Sequence, residues 1–387
     1  MQTEFKVFYG GKPATKEQLD GIEEIVVEQE MDKAWEARIK IPVCIAENGS
    51  WHGEDDAAYA EFARVRVEAR IGEGEFVPLI EGSIHAQEPD YNAGPGLSAV
   101  TLIVHDDSKK LHRKANSESF TGKTDGQVVS SIFKAVELGE GFDVENPPAG
   151  ADPNAVLNRH GTMMEMLRSI TDRYGNYHAY VLPGATAGKS KGCFKKLPTK
   201  PDSSLPIAFL SGPNRNLAEF RIQRNSGRAA KVEGAHLSMS DKQVTTASAG
   251  PNDGLSPGHE GATSGKDKDV RLRRLPPGTG DHTDLTEAVK GMAEESGYTL
   301  KAEGSVIPGV YCAILSPYKM LSVRLSNSRY STGYVITKVV HTLGISQYTQ
   351  SFSVIGNQVS GQTGAGALLP QPSASLTAGF NVQLSIV

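Results

Sequence analysis

One string in this sequence has the look of a catalytic loop, Phe120-Thr121-Gly122-Lys123-Thr124. A phosphate loop needs another glycine five residues before Gly122, after a buried strand, so that backbone N–H groups can curl round the phosphate. Ser117 stands there, among polar neighbours, so nucleotide binding is not expected. The ten histidines show no metal-ligand spacing: His105 and His112 are seven apart, and no HExxH occurs. His85 and His341 end strand-like runs, and the expected role of each is a structural hydrogen bond. Glu54-Asp55-Asp56 and Asp281-His282-Asp284 have the chemistry to hold a cation, yet their surroundings read as solvated loops. Cys44, Cys193 and Cys312 are too scattered for a disulfide framework or a zinc motif, and no GxSxG occurs. The expectation is therefore no catalytic residue, no cofactor-binding residue and no metal ligand. Two basic clusters remain, Lys189, Lys191, Lys195, Lys196 and Lys200, and Arg271, Arg273 and Arg274. They read as solvated loops, with docking onto an acidic partner as the functional alternative. Trp35 and Trp51 suit either a core or an interface.

The elements that must position these residues are mostly strands. The chain has 387 residues, room for more than one domain, with 22% charged residues and a net charge of −5. That charge gives no electrostatic case for nucleic acid. No apolar run is long enough to span a membrane, and the N-terminus MQTEFKVFYGGK lacks a signal-peptide core, which fits synthesis in the cytoplasm. Residues 1–107 alternate at period two in Phe5–Tyr9, Trp35–Val43, Phe62–Ile71, Phe76–Ile84 and Ser98–Val104. Arg64, Arg66, Glu68 and Arg70 are expected on the outer face. Ile22–Glu30 has strand composition, although its glutamates leave a helix open. Residues 108–205 read as mixed α/β. One helix runs over Gln127–Glu137, with Asp125 as its cap, and another over Thr162–Tyr174, with a Thr162/Glu165 capping box and Gly175 as its stop. Lys189–Pro206 reads as a basic linker or surface loop. Residues 206–356 return to strands, including Ala218–Arg224, Tyr298–Ala302, Val310–Leu315 and a meander over 321–355. A glycine-rich insertion lies at about 245–281, and a helix over Leu285–Ser296. Residues 357–387 form a tail, with a last strand-like piece at Phe380–Ile386.

The two β regions echo each other. Phe76–His85 and Ala99–Asp106 match Arg329–His341 and Tyr348–Ile355: a strand, a glycine, a strand ending at a histidine, a loop, and an alternating strand. The matched identities are few.

Several strings, in order, strengthen the comparison. They are Gly82-Ser83-Ile84, then Leu102-Ile103-Val104-His105-Asp106, then Leu111-His112-Arg113. Ser119–Val129 follows, then the helix Glu165-Met166-Leu167-Arg168-Ser169-Ile170-Thr171-Asp172-Arg173-Tyr174-Gly175. Last come Gly333–His341 and Tyr348-Thr349-Gln350-Ser351-Phe352. Over about residues 1–356 the chain resembles the baseplate hub family of contractile phage tails and injection systems. That family includes the late control protein D family and the hub half of valine-glycine-repeat spike proteins. The resemblance implies a mainly β fold, with two tube-like β-barrel domains flanking a mixed α/β subdomain. It implies a homotrimer with pseudo-six-fold symmetry, joining a six-fold tail tube above to a three-fold spike below around a conduit. Its implied partners are the tail tube protein hexamer, a separate spike protein, baseplate wedge components and the tape measure protein. The oligosaccharide-binding fold and β-helix of the larger spike proteins are missing here, and the tail from Gly356 is the segment expected to reach the spike. A tail-associated cell-wall hydrolase and a hexameric tube or adaptor protein are the alternatives.

Overall fold

A computed structural model describes residues 3–360, apart from 46–48, 50, 53–55, 95, 151–155, 238–241, 254, 256–258, 262–269, 277–282 and 345–346. Glu54, Asp55, Asp281, His282, much of the glycine-rich insertion and the strand expected at Phe380–Ile386 lie outside the described residues.

The alternating segments form strands, and these strands share one curled, mainly β half-barrel sheet. Its principal members are β1 (Thr3–Tyr9), β2 (Glu24–Glu30), β3 (Glu36–Pro42), β4 (Arg64–Ile71), β5 (Val77–Asp90) and β6 (Ala99–Asp106) from the first β region. The second region supplies β7 (Leu217–Arg224), β8 (Leu300–Val306), β9 (Met320–Arg324), β10 (Gly333–Gly344) and β11 (Tyr348–Gly356). They are hydrogen-bonded in the order β7-β8-β11-β10-β2-β3-β6-β5-β4-β1, and β9 pairs with the start of β10. The two β regions, read from sequence as separate barrels, are thus continuous through an antiparallel ladder between β2 and β10, from Glu24↔Gly344 to Glu30↔Lys338.

Period two decides which face is buried. On β2, Ile25, Val27 and Gln29 turn inward, while Glu28 stays wet, which settles the strand-or-helix question for this segment. On β3, Ala37, Ile39 and Ile41 are buried and Arg38 is exposed. The first core gathers these with Val65, Val67, Leu79, Ile80, Leu102 and Val104, and reaches across to Leu343 and Tyr348. Each large aliphatic side chain so buried contributes roughly 1.5–3 kcal/mol. A second core is built on Leu300, Leu321, Tyr334, Ile336, Val339 and Phe352.

Helices α1 (Asp125–Val136) and α2 (Met163–Tyr174) and a three-stranded sheet of Gly139–Val144, Ser190–Lys196 and Tyr177–Pro183 form a third core around Val128, Ile132, Leu167, Ile170 and Phe194. Helix α3 (Leu285–Gly297) packs Val289 and Met292 with Val232 and Leu275 in a fourth. Among the described residues no helix is long and apolar enough to cross a membrane.

Several local expectations change. The cap of α1 is Thr124, in a capping box with Gln127; Asp125 instead is the first helical residue and binds Arg173 and Tyr174. The Thr162/Glu165 box and the Gly175 stop of α2 are present. Ser190–Lys196 is a strand, although its lysines suggest a loop: Gly192, Cys193 and Phe194 are buried on it. Val310–Leu315 is not a strand. Tyr311 and Leu315 plug the second core from an irregular segment, held where Gln350 accepts from Leu315 N–H and donates to Ala313 O. Gln358–Ser360, read as the start of the tail, pairs with His259–Gly261.

Candidate functional site

The unusual feature is a repeat written in hydrogen bonds. Along the chain, β2, β3, β4, β5 and β6 correspond one for one to β7, β8, β9, β10 and β11. In space the first unit runs β5-β6-β3-β2 and the second β10-β11-β8-β7. In each, an extra strand covers only the first part of the leading strand, β4 over Val77–Ser83 and β9 over Gly333–Val335. Each leading strand has its register shift against its neighbour at the same place, between Ile84 and Ala86 and between Ile336 and Lys338. The units are therefore joined head to tail, the last strand of the first meeting the leading strand of the second.

Aligning the register shifts corrects the sequence echo. Thr337 corresponds to His85, and the counterpart of His341 is Pro89, so the two histidines do not match. Strand order carries the repeat. The matched glycine and histidine were coincidences of composition.

His341 sits at the seam, fully buried. Gln29 Nε2 donates to Leu79 O at 2.7 Å, which leaves Gln29 Oε1 to accept from His341 Nε2 at 3.2 Å. The other ring nitrogen, Nδ1, then accepts from Tyr348 OH at 2.8 Å. Burial lowers the imidazole pKa to about 3, so the ring is neutral. This relay connects β11, β10 and β2 and reaches β5. It has no open substrate side, and its chemistry is to hold register.

The seam leaves a wet face on one side of the sheet. Glu28, Arg38, Lys301, Glu303 and Ser351 are exposed there, and Lys338 ties across the seam to Glu28 at 2.6 Å and Glu30 at 3.8 Å. Of the two four-stranded units, two edges have no strand on their outer side among the described residues. One is β7. The other is the second half of β5, Ala86–Asp90, beyond the reach of β4. All five of those β5 residues are exposed.

The α/β part is fastened to the first unit by a buried ion cluster that alternation alone misreads. Arg66, expected outside, is 2% exposed. It binds Glu68 at 2.7 Å, Glu81 and the Gly184 carbonyl. Arg64 bridges Glu81 and Asp107, Ser190 donates to Asp107, and Gly188 N–H donates to Glu81. The turn at 184–190 covers this face of β4 and β5, which is why Arg66 is not in water. Nearby Asp106 is fully enclosed, and burial pushes its carboxyl up to about 7 despite bonds from Ser108.

The other sequence candidates scatter. Phe120 and Thr121 end the strand Ala115–Thr121, and Lys123 lies over the Phe120 ring. His85 and His105 meet edge to face at 5.2 Å, with burial lowering the pKa of both, while His112 lies beside Arg168. Asp56 caps a short helical turn at Ala58. Asp284 caps α3. Lys191 and Lys195 pair with Asp143, and Lys196 with Glu287. Arg271, Arg273 and Arg274 remain exposed on a strand paired with Ala230–Glu233. Trp35 is core, and Trp51 packs against Tyr91 with the two rings tilted by 36°. A cleft of about 630 Å³ lies between α3, β8 and β11; its Glu295 pairs with Arg228 and its Glu294 accepts from Asn176. No group of three or more His, Cys, Asp or Glu among the described residues could hold a metal ion.

No family model and no curated protein matches the sequence. Solved structures do match. A tail protein from Neisseria meningitidis MC58 superposes with a TM-score of 0.59 at 12% identity, covering 92% of this chain and 97% of that one. The 43 kDa tail protein of prophage MuSo2 from Shewanella oneidensis gives 0.59 at 15%, covering 91% and 98%. The chain has the fold of prophage tail proteins. The tail-protein fold also reaches a chain of the Francisella PdpA–VgrG complex, with a TM-score of 0.51 at 9% identity, covering 92% of this chain and 58% of that one.

Proposed function

We propose that this chain is a non-enzymatic structural hub of a contractile tail or injection apparatus, located in the baseplate. Three copies form a ring of six similar β units, which adapts a six-fold tail tube to a three-fold spike and encloses a conduit. The observation that carries this reading is the head-to-tail pair of four-stranded units in one sheet, with one edge of each kind left open. Two units per chain turn three-fold symmetry into six similar positions. Head-to-tail contacts close into rings when the rotation between units allows it. The polar face of the sheet suits a channel wall, and the opposite face carries the cores. The likeness to tail proteins supports the setting. The tube protein, a separate spike and neighbouring baseplate components are its partners in this reading, and the segment after Ser360 is the one that meets the spike.

The cleft beside α3 does not favour a wall hydrolase, because Glu295 is held by Arg228 and Glu294 by Asn176. A hexameric tube would need one unit per chain, and this chain has two.

Sedimentation of the purified chain, alone and with its spike partner, tests the proposal. A species of three chains, each of 41.4 kDa, is expected. A chain that remains monomeric with the spike present overturns it.

A further inference from the structure

The joined edges inside the chain are a template for the open ones. We propose that β7 of one copy pairs antiparallel with residues 86–90 of β5 in a second copy, in the register of the internal β2·β10 seam. The inference rests on the ring reading above and adds to it a specific residue register.

Val27 lies opposite Ala37, and Ala37 opposite Val104. Ile222 lies opposite Ala302, and Ala302 opposite Val354. Val104 and Val354 face Ile84 and Ile336, the residues just before the two register shifts. Val27 therefore corresponds to Ile222, as His341 corresponds to Pro89. Since Val27 pairs with His341 across the seam, Ile222 should pair with Pro89 of the next copy. Stepping along both strands puts Arg221 opposite Asp90 and Gln223 opposite Glu88.

Charge agrees with this register. Arg221 is 84% exposed beside Glu219, and it meets an acidic edge in Glu88 and Asp90. The internal seam has the opposite arrangement, with its lysine on the leading strand and its glutamates on the last. The two junctions thus carry different charge labels, which opposes exchange of one edge for the other. Pro89 fits as well. Met31 N–H donates to Thr337 O in line with the seam ladder, and in that alternation His341 is turned toward β2. Its counterpart Pro89 thus presents its donor-less nitrogen outward. Proline at an open edge limits promiscuous strand addition while leaving a carbonyl to accept from Ile222 N–H.

Arg221 and Asp90 fall on a pair without mutual backbone hydrogen bonds, where Cα atoms approach to about 4.5 Å, within the span of a disulfide. The test uses the full chain with Cys44→Ser and Cys312→Ser, carrying Arg221→Cys and Asp90→Cys and oxidised under assembling conditions. Covalent oligomers ending at three chains are expected on non-reducing gels. The control Arg221→Cys with Glu88→Cys is one diagonal out of register and should cross-link at least several-fold less. A three-chain assembly by sedimentation with no 90–221 bond, or with the 88–221 bond preferred, overturns the register and leaves the hub reading standing. A chain monomeric in every condition overturns both. Charge reversal is the independent arm: Asp90→Arg alone and Arg221→Asp alone should each weaken assembly, and the double variant should restore it. Failure of that rescue also counts against the junction.

Discussion

At the scale of single residues, His341 shows how burial decides chemistry. A histidine at the end of an alternating strand can be a catalyst or a structural partner, and the sequence favours the second without naming the partners. The structure supplies them in Gln29 and Tyr348. Gln29 is separated from His341 by most of the chain, which is why spacing could not reveal the relay. The relay has a pH signature. The ring is held neutral with its pKa lowered to about 3, whereas in the unfolded chain it titrates near 6.5. Its contribution to stability is complete above about 6.5 and is lost as pH falls from there toward 3, by about 1.4 kcal/mol for each unit crossed. His341→Gln lacks this titration. By chemical denaturation the variant should be less stable than the parent by about 2 kcal/mol at pH 7.5. The gap should narrow as pH is lowered to 5. A gap that is constant between those pH values contradicts the assignment.

At the scale of elements, period two and capping chemistry carried most of the legible information. The strands with one apolar face, β3 and β6 above all, are plain in the sequence, as are the Thr162/Glu165 box and the Gly175 stop of α2. Elements without an apolar face were not legible. Ala115–Thr121 is exposed at all but Phe120, and the second half of β5 is entirely exposed, so alternation has nothing to report there. Arg66 reads as a surface residue because the turn that buries it comes more than a hundred residues later. Ser190–Lys196 was hidden by its lysines, although Gly192 marks it in retrospect: a Cβ there would meet the Phe133 ring at 2.5 Å. A similar close approach gives a test of the β5·β6 ladder. A Cβ on Gly82 would lie 1.8 Å from the His105 carbonyl oxygen, which is backbone and cannot step aside. Gly82→Ala should cost more than about 2 kcal/mol. Gly344→Ala, whose added carbon would come no nearer than 3.7 Å to Gln347 O, should stay within about 1 kcal/mol in the same denaturation series.

At the scale of the whole molecule, the sequence pointed to two β regions of similar order, and the structure shows the repeat in their strand order and how they are joined. The shared sheet could not be read from the sequence because the β2·β10 ladder connects residues 24–30 to 338–344, with the α/β part and α3 between them in the chain. The hub reading came from short strings taken in order. What the fold adds is a head-to-tail unit, and such units close into a ring when the rotation between them allows it and otherwise run on as a filament. A single open molecule would leave the outer edges of β7 and of Ala86–Asp90 in β5 unpaired in water, and edges of that kind are usually blunted or covered. The most direct test of the central claim is the rotational symmetry of the assembled particle, read from electron-microscopy averages viewed down its axis. The account predicts three-fold rings with six similar lobes of density around a central opening. Averages with a single unit per chain around the ring, or with no axial opening, would contradict it.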